Sequence, residues 1–360
     1  MTTPTEARKA AALPINRFTR APAWVARIAL AGVIAVIICG ALLPPAPVPP
    51  TLTAANANTG DAAFYRVVTA RVRRGDDYYV ASAQELRRRG GALYPFVTIR
   101  PPFLTALIAD VGGESSAGLV LLALAVAATV AVALRFRDLP LSRVGVLSLT
   151  LLAAASITTV ATAALFHEAW AGLLIVLSLA CWTAERWWIS ACIALTAVLL
   201  RELAAPFLLA MLFFAGREGR RRESAGYVAA LLIFATVLAL HARDVDAVRL
   251  ASDTHARAWT VGGGWPFVLR LVHDNSLLIN FPLWTAAIAV PLSIFGWSSW
   301  QHPVAERGAL YITGMLAAFT FVGRPENVYW GLMVAALVPI GLGFAPAGLY
   351  AAAIAARRKR

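Results

Sequence analysis

The sequence predicts an all-α polytopic membrane protein of about ten transmembrane helices, with interfacial helices in a long first outer loop. Three observations carry that prediction. The 360 residues are 59% hydrophobic and only 14% charged, too apolar for a water-soluble domain of this length. The apolar residues gather into runs near the roughly 20 residues that cross a bilayer core of about 30 Å. The basic residues, which leave a net charge of +13, collect in alternate loops, as membrane topology requires.

The expected spans are 24–43, 116–134, 144–165, 169–184, 187–200, 203–215, 225–241, 277–297, 308–322 and 328–347. The first follows a basic leader (Arg8, Lys9, Arg17, Arg20, Arg27) without a small-x-small cleavage pattern after it. It therefore reads as an anchored helix rather than a signal peptide. The chain divides into a basic tail over 1–23, one transmembrane domain over 24–350 that includes an outer loop at 44–103, and a basic tail over 351–360. With both termini cytoplasmic, the inner segments hold 18 of the 32 basic residues and a net charge of +12, against +1 outside. This asymmetry explains the basicity as topology, so nucleic acid is not an expected partner.

Cys39, Cys181 and Cys192 all fall inside apolar spans. Neither a disulfide framework nor a thiolate metal site has its ligands in reach, and packing or lipid-facing roles are expected. Residues 187–215 admit two readings. Two short helices meeting at Arg201-Glu202 would turn that pair toward a wet, outward-opening cavity. One tilted helix would carry both charges near mid-membrane, at about 2.5–3.5 kcal/mol each. The first reading is preferred.

On this topology the outer face collects the chemistry. In the first loop, Asp61 opens a helical stretch whose Phe64, Val67, Val68 and Val72 recur at helical spacing, an apolar face suited to the membrane interface. Asp61 suits both a helix cap and a site carboxylate. A second helical stretch covers 79–89, and a short apolar helix at 103–109 should break at Gly112-Gly113. Gly262-Gly263-Gly264-Trp265-Pro266 reads either as a loop that closes over substrate or as a turn with an interfacial anchor. His167-Glu168 and His273-Asp274 lack the spacing of a metal motif, and structural or substrate hydrogen bonding is expected of both. Arg201-Glu202 and Arg324-Glu326 read either as ion pairs locking helix ends or as parts of a site. No residue is assigned to a metal and no cofactor is expected; a divalent-metal requirement stays open.

The pattern Asp61-x-x-x-Tyr65, Gly75-x-x-Tyr78-Tyr79 and Tyr94-Pro95 before Arg100-Pro101-Pro102, in the outer loop after a single first helix, resembles the GT-C superfamily of integral-membrane glycosyltransferases. The likeness is to the polyprenyl-phosphomannose-dependent mannosyltransferase branch, and in architecture it covers nearly the whole chain. The chain departs from the family in its short length, in lacking a C-terminal soluble domain, and in Ala62-Ala63 following Asp61 where an Asp-x-Asp form would continue.

The resemblance implies a GT-C-like fold and inverting transfer of a sugar from a polyprenyl-phosphate donor to a glycan or lipid acceptor. Asp61 is then the base, with Arg201 and Arg324 clamping the donor phosphate. Glu202 and Glu326 orient those arginines, and Tyr65, Trp265 and Trp330 stack on sugar rings. Glu168, His167 and Asn327 complete the orienting or substrate-binding set. The expected location is a bacterial inner membrane, from the Ala- and Arg-rich usage, with the site facing the periplasm or exterior. The rival classes are a transporter or flippase of a lipid-linked or anionic substrate, and a non-catalytic membrane scaffold.

Overall fold

The structure is a computed structural model that describes residues 16–46, 60–137 and 163–358. Within those residues it is all helix: α1 Ala23–Leu42, α2 Gly60–Arg73, α3 Tyr78–Arg88, α4 Phe103–Asp110, α5 Glu114–Arg135, α6 His167–Cys181, α7 Trp187–Leu200, α8 Ala205–Arg217, α9 Arg221–Ala247, α10 Gly264–Asp274, α11 Trp284–Ser299, α12 Pro303–Phe319, α13 Leu332–Ala335 and α14 Leu337–Ala356. Four of them, α1, α5, α9 and α14, are long and apolar enough to cross a membrane. Nine of the ten expected spans carry a helix among the described residues. The span expected at 144–165 lies outside them, apart from a 3-10 turn at Ala163–Leu165.

Several boundaries differ from expectation. α9 runs 27 residues, about 40 Å at 1.5 Å per residue, and so carries His241 and Asp244 past the apolar stretch. The span expected at 328–347 is instead a 3-10 segment, Pro325–Gly331, followed by α13 and α14. α14 continues to Ala356, so most of the expected C-terminal tail is helical. The near end of the N-terminal tail is also held: Phe18 is buried and stacks on Phe295 at 5.5 Å.

The helices pair mostly with chain neighbours in antiparallel hairpins, α6 with α7 and α8 with α9, while α11 and α14 make the most extensive pairing. Glycines allow that closeness. A Cβ on Gly296 would lie 1.9 Å from the Gly341 carbonyl oxygen, and one on Gly172 2.3 Å from that of Leu332. Small residues at such crossings let backbones meet, where lipid supplies no hydrophobic drive for helix association. The opposite faces are apolar and exposed, as with Ile28, Ile34 and Ile38 of α1 or Leu119, Val126 and Leu134 of α5. Such faces suit lipid, since each helix satisfies its backbone internally.

Three helices of the first loop form a cap. Asp77 caps α3 by accepting from the Val80 amide at 2.9 Å. Arg66 of α2 grips Glu114, at the start of α5, through two hydrogen bonds of 2.6 and 2.8 Å. The apolar face of α2 does not lie open to the interface as its periodicity suggested. Phe64, Tyr65 and Val68 are buried in the main core, because α3 and α4 pack across that face.

A charged cluster closes the far end of the bundle, opposite this cap. Arg307 is 0% exposed, meets Glu218 through two 3.0 Å bonds and lies 3.9 Å from the Trp182 ring centroid. Trp182 in turn donates to Glu223 at 2.9 Å, and Arg17 reaches Glu306 at 2.7 Å. Segments expected on one side of the membrane are thus joined to one another.

Candidate functional site

At the cap end, four chain segments bring charge together. The chain leaves α7 at Arg201, whose backbone is extended (φ −146°, ψ 109°), and restarts in a 3-10 turn at Glu202–Ala204 before α8. Pro206 near the start of α8 suits that restart, since a first-turn position needs no amide donor. Residues 187–215 are therefore two short helices with the charge pair at their junction.

The expected wet cavity is not what surrounds Arg201. Its side chain is 1% exposed, and the guanidinium Nε donates to Glu168 Oε1 at 2.6 Å while Nη1 donates to Glu202. Glu202 is shared with Arg100, whose Nη1 lies 3.2 Å from the same oxygen and also donates to the Val97 carbonyl at 2.7 Å. Two arginines and two glutamates thus balance one another, Arg201 and Glu168 fully buried and Arg100 and Glu202 partly so. A buried charge persists only when paired, and here three chain segments, at Arg100, Glu168 and Arg201-Glu202, supply the four groups.

Aromatic groups wall this nest. Tyr65 of α2 lies 5.1 Å from the His167 ring, Phe166 lies 5.1 Å from Tyr329, and Arg201 lies 5.7 Å from the centroid of Trp330. Burial pushes the Tyr65 phenol well above its usual range, against the lowering influence of Arg100. Asp61 stands one helical turn before Tyr65 at the exposed start of α2 and is within electrostatic reach of both Tyr65 and Tyr329. The cap is fastened to the bundle around this point. The Tyr78 hydroxyl donates to the Arg100 carbonyl at 2.7 Å, and His241 of α9 contacts the Ile99 carbonyl at 3.0 Å.

The other expected residues fall elsewhere. Arg324 lies over Trp259 at 5.3 Å and is 3.6 Å from Glu326, which Arg257 also contacts at 3.2 Å. Asn327 is buried as part of a capping box, its Oδ1 accepting from the Arg324 amide at 3.1 Å. That bond gives it a local role. Trp265 packs beside Gly40 of α1, where an added Cβ would sit 3.0 Å from its indole nitrogen. The glycine run before it is tied to the end of α12, with the Gly262 amide donating to Phe321 and that of Gly264 to Thr320. Gly262 and Gly264 have φ of +67° and +64°, a conformation that favours glycine. Of the two histidine pairs, His273 is satisfied by Asp274 at 2.6 Å and the Phe281 carbonyl at 2.8 Å.

Arg100 and Tyr329 belong to the site but were not assigned to it from sequence. The signals were faint: Arg100 precedes a Pro-Pro pair in the loop pattern, and Tyr329 adjoins Trp330. Among the described residues, no group of three His, Cys, Asp or Glu side chains is arranged to hold a metal ion. The chain matches no family model, no curated protein and no solved structure.

Proposed function

We propose that the protein is a membrane glycosyltransferase that moves a sugar from a polyprenyl-phosphate donor to an acceptor at the non-cytoplasmic face, with inversion. The observation that supports this reading is the convergence at one bundle end of Asp61, Arg100, Glu168, Arg201 and Glu202 from separate segments. Asp61 is exposed at the start of α2, where an acceptor hydroxyl can reach its carboxylate.

In the reaction, an acceptor hydroxyl attacks the anomeric carbon, Asp61 removes the hydroxyl proton, and the bond to the polyprenyl phosphate oxygen breaks. A phosphate leaving group needs no proton donor, only cationic stabilisation. Arg324 is the better supported phosphate ligand. It is only loosely matched by Glu326, and the Pro325–Gly331 segment that follows it leads into Tyr329 and Trp330. Arg201, already matched by two carboxylates, sets the geometry of the nest.

The test is turnover of polyprenyl-phosphomannose by purified protein with an envelope lipid extract as acceptor, read as released polyprenyl phosphate and mannosylated product. Asp61→Asn should cut turnover at least about 100-fold, the scale of a lost general base. Full activity in Asp61→Asn would overturn the mechanism. Uptake of lipid-linked sugar into vesicles with no product would favour a transporter.

A further inference from the structure

His167 is 1% exposed, yet among the described residues neither of its ring nitrogens has a hydrogen-bond partner. Three further buried atoms beside it share that condition: Arg201 Nη2, Glu202 Oε2 and Trp330 Nε1. Leaving a buried polar atom unsatisfied costs about 1–3 kcal/mol, and folded proteins rarely retain several in one place without a use for them. Here they gather where α6 begins, α7 ends and the Pro325–Gly331 segment passes.

The chemistry of the set is specific. A neutral imidazole offers one donor and one acceptor, the guanidinium and indole nitrogens are donors, and the carboxylate oxygen is an acceptor. Arg100 and Arg201 are balanced by Glu168 and Glu202, so the nest as a whole carries no excess positive charge. A phosphate accepts only and carries negative charge, and two neighbouring carboxylates repel it. Adjacent hydroxyl groups both donate and accept and carry no charge, and they complement the mixture.

We propose that this nest recognises the hydroxyl groups of the donor sugar, with His167 as a specificity-determining residue, while the donor phosphate is held elsewhere. The inference rests on the glycosyltransferase reading. It assigns Arg201 and Glu202 to the sugar rather than to the phosphate.

Binding of polyprenyl-phosphomannose and of sugar-free polyprenyl phosphate to the purified full chain separates the possibilities. The wild type should prefer the sugar-bearing lipid. His167→Phe, which keeps a ring against Tyr65, should lose that preference by at least tenfold while binding the sugar-free lipid as before, since a site built around hydrogen bonds discriminates through them. Should His167→Phe fail to fold, His167→Gln, which keeps a donor and an acceptor, should retain part of the preference. An unchanged preference in the folded variant, or equal weakening for both lipids, overturns this inference and leaves the transferase reading standing. Equal affinity of the wild type for the two lipids overturns it as well. A wild type that binds neither lipid overturns both readings.

Discussion

Replacing Arg201 by Met is the most informative single perturbation of the nest. The substitution keeps a long apolar stem but removes the only side-chain hydrogen-bond partner that Glu168 has among the described residues, a 2.6 Å bond in a site where the arginine is 1% and the glutamate 2% exposed. Glu202 is less affected because Arg100 still lies 3.2 Å away. Breaking a buried pair by removing one partner costs about 3–5 kcal/mol, because the other charge stays stranded. Neutralising both should restore much of that loss, since a buried pair replaced by apolar groups is often close to neutral. Arg201→Met should therefore lower stability in detergent by about 3–5 kcal/mol, Glu168→Leu by a comparable amount, and the double variant by clearly less than the sum. Equilibrium unfolding of the four proteins measures the coupling. Additive effects, or a loss below about 1 kcal/mol for Arg201→Met, would mean that the Arg201–Glu168 pair is solvated rather than buried.

At the far end, Arg307→Met should cost about 1.5–3 kcal/mol by removing two charge-assisted hydrogen bonds to Glu218, which keeps Arg220 as a partner, and the cation from the Trp182 ring, seen as a lower unfolding midpoint. Gly296→Ala should destabilise more than a surface change, because its Cβ would meet the Gly341 carbonyl at 1.9 Å; yield and midpoint should both fall. Acid should loosen the cap. Hydrogen bonds from Arg88 and then Arg89, against the opposing pull of burial, hold Glu85 at about 2, and a hydrogen bond from Arg87 holds Asp253 at about 2. Both values are depressed, so their stabilisation is complete above about pH 4.5 and disappears as the pH falls toward 2. Protease sensitivity of the cap should rise across that window, and Asp253→Asn should flatten the rise.

How much of this was legible beforehand differs from element to element. Spans such as 24–43 and 116–134 were read closely because a bilayer imposes length and apolarity on a helix directly. The break at Arg201-Glu202 was also legible, since two charges inside an apolar run demand an interruption. The ends of α9 and α14 were not, because charged or small residues continue a helix as readily as they end one when tertiary contacts cover them. The interfacial reading of α2 failed for a related reason. A helical apolar stripe states that one face is covered, but it does not state by what.

The residue order alone determined the class of molecule, the helical register of the cap and the gathering of polar residues into a few loops, since all three follow from local spacing and the cost of charge in lipid. Which carboxylate meets which guanidinium was decided only by the folded chain. Glu168 and Arg201 are 33 residues apart and Arg100 and Glu202 are 102 apart, and nothing local selects those pairings over others. The physical reason is that a charge withdrawn from water accepts whichever opposite charge the helix packing brings within reach, and that packing is set by many small close contacts spread over the whole bundle.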